Sequence, residues 1–303
     1  MRILFVTSNR VGDAILSTGL LDHLVRGHPG ARITVVCGRV AEGVFTRMPN
    51  LDRIILLDKR PYGRHWLTLW RQVCLTRWDL VVDMRGTALS WLVATRRRAV
   101  WRRLSRGAHK IIENAAVFGL DPPPLPVAWT AATDHAVAAR LLPAGRTLVA
   151  IGPTANWAPK TWPAAEFAGL FHELSDGPLP GAVAVVLAGP GTAEAAMAAP
   201  LLAALPDAID LCGKLSLPEA AACLERCALY IGNDSGLMHL AAATGIPTLG
   251  LFGPTSAAEY APAGRRTAVV RSADGTMAGL DANQVLAAAT RLVELVASEG
   301  TPA

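Results

Sequence analysis

Short apolar runs recur along the chain, each followed by a polar break and then by a stretch with apolar positions three or four apart. In the first half the runs are RILFVT (2–7), ARITVVCG (31–38), RIILLD (53–58) and DLVVDMRG (79–86). Between them, helical spacing covers about 14–26 and LTLWRQVCLTRW, whose Trp70 stands one turn on from the preceding Trp66. The pattern halts at DPPPLPVAW (121–129), since a proline cluster cannot continue a helix. After a short helix at 133–142 it restarts at RTLVAIGPT. Strands AVAVVLAG, AIDLCG, LYIGN and TLGLFG then alternate with helices at 163–175, 192–204, 218–226, 237–244 and 281–297. Such alternation predicts parallel sheets covered on both faces. Two series with a proline-rich joint predict an α/β protein of two Rossmann-like, doubly wound domains, 1–145 and 146–303. A length of 303 residues suits two domains.

Composition narrows the class. The chain is 51% hydrophobic, enough for two cores, yet has no uncharged apolar run of the ~20 residues that span a bilayer. Its first residues read as a strand with a polar successor, not as a secretory signal, so a cytoplasmic location is expected. The five cysteines are scattered, and Cys223 and Cys227 lack a second pair at zinc-ligand spacing, which predicts buried free thiols. The net charge of +5 is unevenly spread: up to residue 145 there are 21 Lys and Arg against 10 Asp and Glu, and beyond it 8 against 14. The first half is therefore the one suited to an anionic partner.

Ligands of open parallel sheets sit beyond the carboxyl ends of the strands, so three post-strand loops carry the candidate chemistry. TSNRVGDAILSTG (7–19) offers only Gly12 at the loop where a G-x-G-x-x-G dinucleotide fingerprint needs three glycines, which disfavours NAD or FAD. Its Asp13 is either a helix N-cap or a general base for an acceptor hydroxyl, facing a cleft between the domains. IGPTANWAPKTWPAAEF (151–167) places Lys160 and Asn156 just before a helix that starts near Pro163; the lysine is either an ordinary surface group or a phosphate ligand. In YIGNDSGLMHL, Asp234, Ser235 and Gly236 join a strand to a helix, with His239 one turn in. They either cap the helix over a packed histidine or form a diphosphate seat at its positive end.

The segment NDSGLMHLAAATGIPTLGLFGPT closely resembles the C-terminal signature of the family 9 glycosyltransferases, the bacterial heptosyltransferases of lipopolysaccharide core assembly. VGDAILSTGLLDHL and APKTWPAAEFAGL fit the same family in order and spacing. The resemblance implies the GT-B architecture, two Rossmann-like domains facing a central cleft, and an inverting, metal-independent transfer from a nucleotide sugar, typically ADP-heptose, with no cofactor. It implies Asp13 as base, Lys160 on the donor phosphates, and Asn156 as a small polar contact. Asp234 falls on the transferred sugar, and Ser235, Gly236 and His239 on the diphosphate. It further implies Glu194 as a ribose contact and Leu215 at the adenine pocket, beside the alternative of a core leucine. Other readings are a related GT-B enzyme using another nucleotide sugar and a non-catalytic nucleotide-sugar-binding module.

The densest charge lies in RGTALSWLVATRRRAVWRRLSRGAHK (85–110), with Arg96, Arg97, Arg98, Arg102, Arg103 and Arg106. It reads as a solvated basic face over a packed helix, as a nucleic-acid stripe, or as a surface for anionic lipid or a phosphorylated glycolipid acceptor. Because the resemblance makes this the acceptor half, the expected partners are a glycolipid and the inner-membrane surface, with peripheral attachment and no nucleic acid.

Overall fold

The computed structural model describes residues 1–58, 61–103 and 107–299. The chain forms two compact units, Met1–Trp129 and Thr130–Ala303. In the first, the order is β1 (Arg2–Val6), α1 (Val11–Leu16), α2 (Thr18–Gly27), β2 (Arg32–Cys37), β3 (Leu51–Leu56), α3 (Arg64–Val73), β4 (Trp78–Asp83), β5 (Thr95–Val100) and α4 (Lys110–Ala115). Its sheet runs β3-β2-β1-β4-β5 with every pair parallel. Both faces are buried: Leu4, Val6, Val36 and Val81 pack with Leu69 and Val73 of α3, while the alternate residues Ile3 and Phe5 are also fully covered.

Two local departures from the expected pattern have clear causes. The helix expected over 14–26 is two helices broken at Ser17, whose hydroxyl donates to Ala14 O at 2.7 Å and lies 2.9 Å from Thr7 Oγ1. The basic segment, which one reading laid over a packed helix, contributes β5, an edge strand, in which Arg96, Arg97 and Arg98 are exposed. Pairing of Leu80 with Arg97 and Val81 with Arg98 extends the sheet, and charge along its outer edge discourages pairing with another chain.

The second unit comprises α5 (Ala132–Leu141), β6 (Leu148–Gly152), α6 (Ala164–Asp176), β7 (Val183–Val186), α7 (Thr192–Ala204), β8 (Ile209–Asp210), α8 (Leu217–Leu224), β9 (Leu229–Asn233), α9 (Gly236–Thr244), β10 (Thr248–Phe252), α10 (Ala257–Tyr260), β11 (Thr267–Arg271) and α11 (Ala282–Glu299). The sheet is again fully parallel, in the order β11-β10-β9-β6-β7-β8. Val149, Ile151, Ile231, Leu249 and Leu251 pack with Phe167, Leu170 and Leu174 of α6 and Val285, Ala289 and Leu292 of α11. Each buried Val, Leu, Ile or Phe side chain contributes about 1.5–3 kcal/mol, so α6, and with it the loop that enters it, is firmly held.

The boundary between units falls after Trp129, not after residue 145. Helix α5 packs on α8 of the second unit, whereas the proline-rich segment packs on α2 of the first. Val127 N–H donates to Thr18 Oγ1 at 2.9 Å, and any Cβ on Gly19 would strike the Pro124 and Leu125 carbonyls. Strand β11 escaped the sequence pattern because its three apolar residues sit between arginines at an edge of the sheet.

Candidate active site

In the second sheet the strand order reverses between β6 and β9, the kind of switch point where doubly wound sheets hold ligands. Two loops leave the carboxyl ends of these adjacent strands. The β6 loop makes a 3-10 turn, Ala158–Lys160, and brings Lys160 Nζ to 2.7 Å from Asp234 Oδ2. The pair is largely enclosed, with side chains 17% and 8% exposed. Asp234 is also pinned through its backbone, its N–H donating to Leu251 O at 3.2 Å.

Asn233 ties the two loops together. Fully buried, it accepts from Trp162 N–H at 3.0 Å and donates to Pro153 O at 2.8 Å. One amide thus fixes both ends of the segment that carries Lys160. Asn156, in the same segment, is exposed and makes no hydrogen bond to the pair.

Ser235 is the N-cap of α9, yet its hydroxyl caps nothing, and Asp234 points to Lys160 instead. The capping explanation therefore does not account for either side chain. Ser235 Oγ is buried without a hydrogen-bond partner among the described residues, as are Tyr230 OH and Glu194 Oε2. His239 is buried one turn into α9. Tyr230 lies on β9 with its ring over the paired Gly152 and Gly232, where a Cβ at either position would collide with its hydroxyl. Burial pushes the phenol pKa up, and the Glu194 carboxylate raises it further. Glu194 stands in the first turn of α7, its carboxylate packed over Gly189. Three elements thus bring orphaned polar atoms to one edge of the sheet. Leaving such atoms unsatisfied costs about 1–3 kcal/mol each. Leu215, half-buried in the β8–α8 loop, is not a core residue.

In the first unit the corresponding reversal lies between β1 and β4. Asp13 follows β1 as the third residue of α1, whose N-cap is Arg10, so it is not the N-cap. Its Oδ2 accepts from Ser8 Oγ at 3.4 Å. The basic residues divide: Arg96 pairs with Asp79 at 3.4 Å. Arg98 donates to Ser90 O at 2.8 Å and lies 4.7 Å from the centre of the Trp91 ring. Arg97, Arg102 and Arg103 are exposed and join no ion pair among the described residues; Arg106 lies outside those residues. The cysteines are free, and Cys37, Cys223 and Cys227 are buried. Among the described residues no three His, Cys, Asp or Glu side chains gather as a metal site, and no helix is long and apolar enough to cross a membrane.

Sequence reasoning missed the parts played by Asn233 and Tyr230. The fingerprint for Tyr230 was present, as glycines at 152 and 232 on strands that prove adjacent, but the pairing that unites them is tertiary.

Two parallel α/β domains, each with a switch point, are the architecture of the GT-B glycosyltransferases. The chain superposes on a glycosyl transferase family 9 protein from Veillonella parvula with a TM-score of 0.83, 22% identity and 97% coverage of each chain. It superposes on the E. coli ADP-heptose lps heptosyltransferase II with a TM-score of 0.79 and 21% identity, covering 98% of this chain and 100% of that one. In sequence it is 24% identical to lipooligosaccharide heptosyltransferase 2 of Haemophilus influenzae over 91% of this chain and 90% of the relative. Residues 97–289, more than half the chain, match the model of glycosyltransferase family 9 (heptosyltransferase). The chain belongs to glycosyltransferase family 9 and is a glycosyltransferase.

Proposed function

We propose that the protein transfers heptose from ADP-heptose to the core of a lipopolysaccharide or a related glycolipid, with inversion and without a metal ion. The observation that carries this reading is the enclosed Lys160–Asp234 pair at the β6/β9 switch point, beside the start of α9. Lys160 meets the diphosphate charge, and the first N–H groups of α9 with Ser235 supply fixed dipoles. Asp234, held by Lys160, accepts from hydroxyls of the transferred sugar. Gly236 permits close approach of the backbone, His239 backs the same helix start, and Glu194 accepts from a ribose hydroxyl. Asn156 makes a small polar contact to the phosphates or the sugar, and Leu215 lines the adenine pocket.

The chemistry follows from these roles. The acceptor hydroxyl attacks the anomeric carbon as its proton passes to Asp13 of the first unit, a typical general-base contribution of about 10²–10⁴ in rate. The anomeric C–O bond breaks with its electrons going to the diphosphate, and ADP departs. A single displacement of this kind inverts the anomeric centre. The first unit thus serves the acceptor and the second the donor.

The same reading makes the enzyme a peripheral protein at the cytoplasmic face of the inner membrane. It is supported by the exposed Arg97, Arg102 and Arg103, and by Trp91 and Leu92, which are 61% and 63% exposed beside Arg98. Basic and interfacial apolar groups together suit an anionic lipid surface.

The test is transfer from ADP-heptose to heptose-deficient lipopolysaccharide in excess EDTA. Wild-type protein is expected to turn over, while Asp13→Asn binds ADP normally and loses at least a hundred-fold in rate. Absence of transfer by the wild type, or undiminished transfer by Asp13→Asn, would refute the reading.

A further inference from the structure

Arg85 is a charge that the mechanism above does not use. It stands two residues past β4, at the end of the sheet where β4 and β1 diverge, and is half-buried. Its Nη1 donates to Asn9 Oδ1 at 2.8 Å, and its guanidinium carbon lies 5.2 Å from the centre of the Trp66 ring. None of the ion pairs among the described residues includes it. Asp83, the acid that acts on it electrostatically, is engaged elsewhere. Fully buried, its carboxylate accepts from the Arg85 and Thr87 N–H groups at 3.0 and 2.9 Å and from Thr87 Oγ1 at 2.6 Å.

A partly desolvated cation with no counter-ion is unfavourable unless something anionic meets it. Burial lowers the Arg85 pKa, and Asp83 offsets this in part. A guanidinium has five N–H donors, and among the described residues one hydrogen bond, to Asn9, is made. The surroundings hold this fork in place. Gly38, after β2, admits Asn9 so closely that a Cβ there would lie 2.7 Å from Asn9 Cα. Gly86, at φ +63°, turns the chain so that both flanking N–H groups reach Asp83. Trp66 walls one face of the cation, an arrangement worth about 0.5–1 kcal/mol at exposed sites and more when desolvated.

We infer that Arg85, oriented by Asn9 and Trp66, is the seat of an oxyanion on the acceptor, either a carboxylate or a phosphate monoester. The planar fork fits both groups in two-point contact. Asn9 belongs to the same post-β1 segment as Asp13, so an anion held there tethers the acceptor to the strand that presents the base. The naming of the ligand as acceptor rests on the proposed function; the anion seat itself does not. Recognition of the acceptor head thereby falls at the β1/β4 mouth, and the arginines of edge strand β5 are left to the lipid surface.

The experiment uses the full chain, ¹⁵N-labelled at arginine, with the Arg85 Nε–H resonance assigned by its loss in Arg85→Lys. Methyl phosphate and acetate are titrated separately, in the presence of excess ADP and again in Lys160→Ala, so that anion binding at the donor seat does not interfere. A saturable shift of the Arg85 resonance with either probe is expected, and which probe acts tells phosphate from carboxylate. No saturable shift with either, or equal shifts at exposed arginines such as Arg97, would overturn the inference. In the transfer assay, Arg85→Gln should raise the acceptor KM at least ten-fold with the donor KM unchanged, and Arg85→Lys should recover part of the loss. An unchanged acceptor KM would contradict the acceptor role. ADP binding, followed in the same samples, reports on the donor reading separately: an Arg85 shift without ADP binding keeps the anion seat and removes only that reading.

Discussion

Lys160 and Asp234 stand 74 residues apart in the chain, yet Lys160 Nζ lies 2.7 Å from Asp234 Oδ2 at the end of the second sheet. Each approaches from a different strand of the switch point, so the sheet's own topology makes the pair. A cation and an anion in one enclosed place can meet a diphosphate and a sugar hydroxyl at once. Removing one partner leaves the other charge poorly solvated, at a cost of about 3 kcal/mol. Lys160→Ala should therefore lower unfolding free energy in urea, and Lys160→Met with Asp234→Leu should regain most of it without regaining ADP affinity. A double variant that binds ADP like wild type would separate the pair from the donor.

Asn233 holds the segment that carries Lys160. Asn233→Ala strands the Trp162 N–H and the Pro153 carbonyl in the interior, which should cost about 2–4 kcal/mol in total. Denaturant unfolding measures that loss. Calorimetry should show weaker ADP binding in the same variant although Asn233 is wholly buried; undisturbed ADP affinity would mean the loop is positioned by something else.

Tyr230 presents the opposite case. Its hydroxyl is buried and makes no hydrogen bond among the described residues, so Tyr230→Phe should stabilise the fold by about 1 kcal/mol. Gly152→Ala and Gly232→Ala, which drive a methyl into the same hydroxyl, should destabilise it. Thermal melts of the three variants decide the matter, and a destabilised Tyr230→Phe would mean that the hydroxyl has a partner.

The thiols give a pH-dependent expectation. Burial is the first cause pushing Cys37, Cys212 and Cys227 up to about 12 and Cys223 up to about 11, from an ordinary 9.0. At pH 8 the thiolate of a group at 12 is about one part in ten thousand. These four should resist iodoacetamide in the native protein and react in urea, as read by mass spectrometry. Because folding raises their pKa values, the stability they contribute is full below about 9 and is lost as pH rises towards 12. Rapid native alkylation of Cys227 would contradict this.

Much of this was legible in the residues themselves. Strand–helix alternation in apolar runs foretold both parallel sheets, and Asp13, Lys160 and Asp234 were singled out because each follows a strand. What escaped was whatever depends on which strands become neighbours. Arg96–Arg98 carry too much charge to look like a strand, and they form one because β4 offers an open edge. Asn233 and Tyr230 lay inside a conspicuous motif, but their work is done against Pro153, Trp162 and Gly152, far away in sequence. Arg85 drew attention only as one end of a basic segment; that it joins no ion pair among the described residues is a property of the folded loop.

The central claim is a metal-free diphosphate seat built on Lys160, and calorimetric titration of ADP in EDTA tests it most directly. Wild-type protein should bind ADP without metal, and Lys160→Ala should weaken binding at least ten-fold, about 1.4 kcal/mol. Binding that requires magnesium, or equal affinity in Lys160→Ala, would contradict it.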